Sequence, residues 1–188
     1  NEFQGIGGNT LQVHSYTSHE DRLLGKWNRM KAEDLALMKY RIAGISNVTP
    51  ITGLNLPGGI RLGENTSAAQ VIATTSWFQI ANQSYPRLGR FVTESDNDSR
   101  RRVIVLGDKV RTDLKLPEDC LGTFIQVGGQ WFKIVGLMEA RGEMFGQSMD
   151  NYAVIPFETG RALASPWREP DMAIMATVDD LDAVSDLK

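Results

Sequence analysis

The glycine pair Gly128-Gly129 constrains the fold more than any other feature of the sequence. It separates two runs of alternating apolar and polar residues, 123–127 and 130–135, the pattern of a β-hairpin with a two-residue turn. A turn of this length pairs Val127 with Gln130 and sets the register of every other pair. The apolar side chains then share one face: Ile125, Val127, Phe132 and Ile134. The sequence therefore predicts a hairpin with one buried face.

Strands and helices are mixed at the two ends of the chain, and strands prevail in the middle. Apolar periodicity predicts strands over residues 9–16, 45–51, 60–62, 69–74, 103–106, 152–156 and 172–178. It predicts helices over residues 31–43, 157–164 and 179–187, and a short helix or turn over residues 107–114. We therefore expect an α+β fold in which a β-rich insertion separates two mixed segments.

Composition excludes several classes of protein. The 188 residues carry a formal net charge of −3 and 41% hydrophobic residues, which suits a globular chain but not a nucleic-acid binder. No apolar run approaches the roughly 20 residues that span a bilayer. The first four residues lack the charged and apolar regions of a signal peptide. We expect a soluble chain, either cytosolic or cut from a larger protein.

Residues that could carry chemistry are few and scattered. His14 and His19 have no partners at metal-ligand spacing, and Cys120 is the single cysteine, so no internal disulfide can form. No base stands in a recognisable pattern with Cys120, which favours a small buried or half-buried residue over a nucleophile. The glycines near residues 5–8 precede a strand, whereas a phosphate-binding loop must follow one. The sequence therefore predicts no catalytic residue, no metal site and no bound cofactor or ATP.

A charged stretch and a group of aromatic residues remain. Glu94, Asp96 and Asp98 lack the other ligands and the glycine of a calcium loop, so a solvated acidic loop is expected. The three arginines at 100–102 then balance its charge, with a docking patch for an acidic partner as the alternative. The aromatic residues Trp77, Phe78, Tyr85 and Phe91 are expected to anchor a core, although an exposed subset would form a partner surface.

Several separated segments resemble, in order, the MacB-type periplasmic core domain of bacterial ABC transporter permeases. The matching segments are residues 8–13 (GNTLQV), 31–34 (KAED) with 45–50 (ISNVTP), 77–78 (WF), 88–96 (LGRFVTESD), 102–107 (RVIVLG), 122–125 (GTFI) with 132–136 (FKIVG), and 151–157 (NYAVIPF). The stretch 115–118 (KLPE) departs from the Leu-Phe pair that more commonly ends the preceding helix in this family. The loop over residues 141–149 carries no information in this comparison.

The resemblance implies an architecture and a role. A porter-like α+β subdomain is expected from residues 1–75 and 150–188, with a β-rich lobe inserted at residues 76–149. Such a domain lies between two membrane helices, on the periplasmic side of the inner membrane of a Gram-negative bacterium. It couples ATP-driven motion of a permease homodimer or heterodimer to cargo expulsion through an adaptor and an outer-membrane duct. The nucleotide-binding domain lies elsewhere in the protein or on a partner, and the domain itself is not an enzyme.

Two other interpretations stay open. In the first, the same architecture serves a permease that releases lipoproteins or regulates cell-wall hydrolases. In the second, the chain is a soluble enzyme with an unrecognised site, for which Cys120 beside a histidine is the only visible basis.

Overall fold

The computed structural model describes residues 2–5, 10–14, 45–164 and 172–178, with side chains over residues 48–164 and 172–175. The chain divides into two units: residues 1–52 with 171–188, and residues 53–170. The helices expected over 31–43 and 179–187 and the loop that holds His19 lie outside the described residues. No helix of the described part is long and apolar enough to cross a membrane.

The first unit contains an antiparallel sheet built from both ends of the chain. Its strands are β1 (Glu2–Gly5), β2 (Thr10–His14), β3 (Ile45–Leu54) and β14 (Met172–Val178). Their order is β1-β2-β14-β3, so the last strand of the described part lies between two early ones. Ile174, at the middle of β14, is fully buried. This sheet therefore requires β14, which follows the whole of the second unit in the sequence.

The second unit contains a mixed sheet. Its strands are β4 (Ile60–Leu62), β5 (Asn65–Ser67), β6 (Gln70–Thr74), β7 (Pro86–Gly89), β8 (Val103–Leu106), β9 (Phe124–Val127), β10 (Gln130–Met138) and β13 (Tyr152–Pro156). The order is β6-β13-β8-β10-β9-β4-β5, and β7 pairs with β10. The pairs β6–β13 and β8–β10 are parallel, and the other pairs are antiparallel.

Four short helices join these strands: α1 (Phe78–Ala81), α2 (Glu94–Asp98), α3 (Asp108–Asp113) and α4 (Phe157–Leu163). A separate two-stranded hairpin, β11 (Glu143–Met144) and β12 (Gln147–Ser148), leaves the sheet between β10 and β13. Segments this short gain little from intrinsic helix or hairpin propensity, so their contacts with the sheet must stabilise them.

The predicted central hairpin is confirmed. Val127 pairs with Gln130 and Ile125 with Phe132, in the expected register. The four apolar side chains of the predicted inner face are at most 1% exposed, and Lys133 on the other face is exposed. All four residues of the neighbouring strand β8 are buried, as expected for a continuous apolar run in the middle of a sheet.

The prediction of a solvated acidic loop is wrong for Asp96. Residues 94–98 form helix α2, and Asp96 is completely buried, whereas Glu94 and Asp98 are exposed. Thr93 caps the helix reciprocally with Asp96, the third residue of the helix. The prediction compared the carboxylates with a calcium loop and missed the Thr-x-x-Asp spacing of this cap.

The predicted limits of the inserted lobe remain a prediction. The second unit runs from residue 53 to residue 170 and includes β4, β5 and β6 before the expected lobe. It also includes β13 and α4 after the expected lobe. Compactness alone does not identify an insertion, so an experiment on fragments is needed to define its ends.

Candidate functional site

Groups able to do catalytic chemistry do not converge in the described residues. His14 lies at the end of β2, and Cys120 is fully buried in the second unit. Burial raises the pKa of the Cys120 thiol, which disfavours the reactive thiolate. Within the described ranges, no group of three or more His, Cys, Asp or Glu side chains is placed to hold a metal ion. The remaining candidates for a site are charged clusters and exposed apolar surfaces.

One charged cluster is centred on Asp96. The Arg90 guanidinium donates to both carboxylate oxygens of Asp96, at 2.5 and 3.2 Å. The Thr93 hydroxyl and amide donate to the same carboxylate at 2.9 and 3.0 Å. Burial by itself would raise the pKa of Asp96, but these hydrogen bonds outweigh it and hold the pKa below its ordinary value.

The cluster also connects α2 to α4. Arg101 lies 3.7 Å from the Asp96 carboxylate, and its carbonyl accepts a hydrogen bond from the Thr159 hydroxyl. The Asn97 side chain accepts a hydrogen bond from the amide of Glu158. The segment 88–96 (LGRFVTESD) thus builds a structural clamp. Arg101 contributes to the local charge balance that the sequence predicted for arginines 100–102.

A second ion-pair network joins β7 to α3. Arg87 pairs with both Asp108 and Glu118, and Arg111 donates to Asp108 at 2.9 Å. The hydrogen bond from Arg111 is the largest cause of the lowered pKa of Asp108, and Arg87 lowers the pKa of Glu118. Three of these four side chains are at least one-fifth exposed, so solvent screens the network, which positions the two elements but forms no pocket.

The hairpin β11–β12 is the most exposed described feature, and we call residues 141–149 the arm. The Asp150 carboxylate fixes its base by accepting hydrogen bonds from the amides of Arg141 and Gly142, at 2.8 and 2.9 Å. The amide of Met149 donates to the Gly142 carbonyl and closes the base. At the tip, the side chain of Phe145 is 100% exposed.

A groove of about 250 Å³ lies beside the base of the arm. Its lining residues are Ile72, Phe78, Asn82, Ser84, Arg141, Ser148, Met149, Asn151 and Tyr152. Arg141 fixes one wall by donating from Nη2 to the carbonyls of Asn82 and Gln83, at 2.6 and 3.1 Å. Burial raises the pKa of Tyr152, whose hydroxyl lies 3.5 Å from that of Ser84, so this residue stays neutral.

Exposed apolar side chains concentrate around the arm and groove. Of the eight large apolar residues that are exposed in the described part, five lie on α1, on the segment after it or on the arm: Ile80, Tyr85, Met144, Phe145 and Met149. Concentrated exposed apolar surface is typical of an interaction site. The arm and the groove together are therefore the candidate functional site.

The structure divides the predicted aromatic group. Phe78 and Phe91 are buried and stack with ring centroids 6.2 Å apart, whereas Tyr85 is exposed. Trp77 is half-buried. The arm itself was not predicted, because Phe145-Gly146 is not one of the dipeptides that mark a two-residue turn.

Two solved structures share the fold of this chain. The periplasmic region of MacB from Actinobacillus actinomycetemcomitans is similar over 97% of this chain and 81% of its own, with a TM-score of 0.73 and 18% identity. The extracellular domain of the noncanonic ABC-type transporter YknZ from Gram-positive bacteria is similar over 95% and 88%, with a TM-score of 0.74 and 18% identity. The fold is that of the extracytoplasmic domains of ABC transporters, and the predicted α+β class is confirmed.

The family follows from sequence. The MacB-like periplasmic core domain family matches residues 1–188, and the chain belongs to this family. The macrolide export ATP-binding/permease protein MacB of Wolinella succinogenes is 37% identical over 101 residues, 53% of this chain and 16% of that protein. The pyoverdine export ATP-binding/permease protein PvdT of Pseudomonas putida is 28% identical over 155 residues, 80% of this chain and 23% of that protein. The chain spans between a sixth and a quarter of the length of these relatives.

Proposed function

We propose that this domain belongs to an export permease and couples ATP-driven motion of the membrane protein to the expulsion of cargo. The observation that carries the proposal is the family match over the whole chain, together with curated relatives named as export ATP-binding/permease proteins. The chain corresponds to a small part of such proteins, so ATP hydrolysis belongs to another part of the protein or to a partner subunit. The domain itself catalyses no reaction in this proposal.

The geometry supports a mechanical role for the second unit. A domain that transmits motion must move as a body, which requires that its elements do not slide past one another. The buried strand β8, the clamp at Asp96 and the network at Arg87 join β7, α2, α3 and α4 within this unit. A rigid body with an exposed apolar arm is suited to move and to contact a partner at the same time.

The partners belong to the same proposal. In a Gram-negative cell, the domain would lie in the periplasm and meet an adaptor protein that leads to an outer-membrane channel. The division into a porter-like subdomain of residues 1–75 and 150–188 with an inserted lobe of residues 76–149 belongs to the same proposal.

The coupling is tested in the full-length permease reconstituted in lipid. A spin label on Asp98→Cys, an exposed position on α2, reports the distance between the two domains of a permease dimer. Cys120 is buried and is expected to remain unlabelled, and any cysteines of the full-length permease outside residues 1–188 are replaced before labelling. We expect the distance distribution to shift when ATP is added. An unchanged distribution during measured ATP hydrolysis would contradict the coupling.

The alternative role is tested by the partner that is recovered. Cross-linking in cells followed by purification of the permease is expected to recover a periplasmic adaptor. Recovery of a lipoprotein carrier or of an activator of cell-wall hydrolases, without an adaptor, would instead support the alternative permease function.

A further inference from the structure

Phe145 is an unfavourable residue for its position. The two-residue turn between β11 and β12 places Phe145 at φ 51° and Gly146 at φ 78°, so both central residues have positive φ, as in a type I′ turn. Asn-Gly is the preferred sequence for such a turn, because Asn tolerates this conformation and Phe does not. Phe145 also gains no burial in its own chain, since it is fully exposed. Its presence costs folding stability, which points to a contact outside the chain.

The groove beside the arm supplies a surface that matches this side chain. Its volume of about 250 Å³ accommodates a phenyl ring, and Ile72, Phe78 and Met149 give it an apolar lining. Aromatic side chains that fill apolar pockets are the usual anchors of protein interfaces. The chain therefore presents both an exposed aromatic anchor and a groove of suitable size and chemistry.

Arm and groove are also placed for reciprocal exchange. Arg141, Ser148 and Met149 belong both to the arm and to the lining of the groove, so the two features are adjacent. An interface with two-fold symmetry uses the same patch on both copies. A two-fold axis near these residues would therefore let each arm reach the groove of the other copy. The arm carries Glu143 and the groove is lined by Arg141, so an arm and a groove from two copies have opposite charges to offer each other.

We propose that the arm of one copy docks into the groove of a second copy, with Phe145 as the anchor and each groove receiving one arm. An arm of nine residues offers less contact than the approximately 800 Å² per partner of a standard stable interface. The association is therefore weak in free solution and becomes significant when two copies are held close together. This inference does not depend on the proposed export role, because it concerns association of the chain with itself.

Directed cross-linking tests the contact. One tagged copy of the chain carries Met144→Cys, which is exposed on the arm and keeps the Phe145 anchor, and an untagged copy carries Asn151→Cys at an exposed position in the groove. The control pairs Met144→Cys with Thr66→Cys, an exposed position on β5 outside the groove. With a short bifunctional thiol reagent, we expect at least a tenfold higher yield of the mixed dimer for the groove pair. Equal yields for the two pairs would overturn the proposal.

A second measurement separates association from folding. Phe145→Asn improves the turn and removes the anchor, so we expect unchanged or slightly higher thermal stability and at least a tenfold weaker self-association by sedimentation equilibrium. Phe124→Asn is the matched control, because Phe124 is a 54% exposed phenylalanine on β9 away from the arm. It should leave self-association unchanged.

Three further outcomes would count against the self-association or against the export role. A wild-type chain that stays monomeric at millimolar concentration and gives no groove-specific cross-link would show that the arm binds a different partner. Equal loss of association in the two asparagine variants would show general stickiness of exposed aromatic residues. A full-length protein that exports no cargo but still gives the arm–groove cross-link would count against the export role alone.

Discussion

At the scale of single residues, Asp96 shows how a conspicuous motif can be structural. Its carboxylate is completely buried and accepts hydrogen bonds from Arg90 and Thr93, while Arg101 lies within ion-pair distance. A buried carboxylate is stable only when it is paired and hydrogen-bonded in this way. The acidic pattern therefore indicates a clamp for helix α2 and no calcium site.

The clamp predicts a specific loss of stability. Asp96→Ala removes the helix cap and the charged hydrogen bonds together, so we expect the free energy of unfolding to fall by about 3 kcal/mol. The matched control is Asp98→Ala on the same helix, whose side chain is exposed and whose loss should cost less than about 0.5 kcal/mol. Urea denaturation followed by circular dichroism measures both. Equal losses would contradict the clamp.

The same carboxylate predicts the pH dependence of stability. Because the pKa of Asp96 is lower in the folded chain than its ordinary value of about 3.9, its stabilisation is complete above that value and is lost as pH falls through the folded pKa. The stability difference between the wild type and Asp96→Asn should therefore be larger at pH 7 than at pH 2.5. Urea midpoints at the two pH values measure it, and a difference that grows on acidification would contradict the assignment.

At the scale of elements, close approach of the backbone explains why glycine stands at position 136 of β10. A Cβ atom there would lie 2.1 Å from the Arg90 carbonyl oxygen, far inside contact distance. Gly89 faces Gly136 in the pair β7–β10, and a Cβ on Gly89 would lie 2.2 Å from the Val135 carbonyl oxygen. The two glycines let β7 lie against β10 and carry Arg90 towards Asp96.

Gly136→Ala is therefore expected to destabilise the chain by about 2 kcal/mol or more, because backbone atoms must move. Gly53→Ala is the comparison, since the atom nearest its new Cβ is the end of the flexible Gln70 side chain, which is able to move away. Thermal denaturation of both variants measures the difference. A Gly136→Ala variant as stable as Gly53→Ala would show that β7 is not held closely against β10.

At the scale of the whole molecule, the two units differ in whether they are continuous in sequence. The first unit needs both ends of the sequence, whereas the second is one continuous segment of residues 53–170. We expect a 53–170 fragment to unfold cooperatively when it is expressed alone, as measured by calorimetry. A fragment of residues 76–149 lacks β13, the antiparallel neighbour of β8, and is expected to be less stable. Equal stability would favour the narrower limits predicted for the inserted lobe.

The sequence alone determined the features that depend on local pattern. Gly128-Gly129 with alternating neighbours defined the register of the central hairpin, because a two-residue turn permits one pairing that buries all four apolar residues. The apolar run at β8 was also predicted, and so was helix α4 with its first residue, although the helix ends one residue earlier than expected. The order of the motifs also indicated the family, to which the chain belongs.

Only the tertiary structure decided which polar and aromatic residues are buried. Asp96 becomes buried because Arg90 folds back onto it and because helix α4, about sixty residues later in the chain, packs beside helix α2. No local sequence pattern encodes the packing of α4. The arm was missed for a related reason: a short hairpin with few apolar neighbours has little periodicity, and its base is fixed by Asp150. Exposure of Phe145 and the groove beside it are properties of the assembled surface, and they define the candidate site.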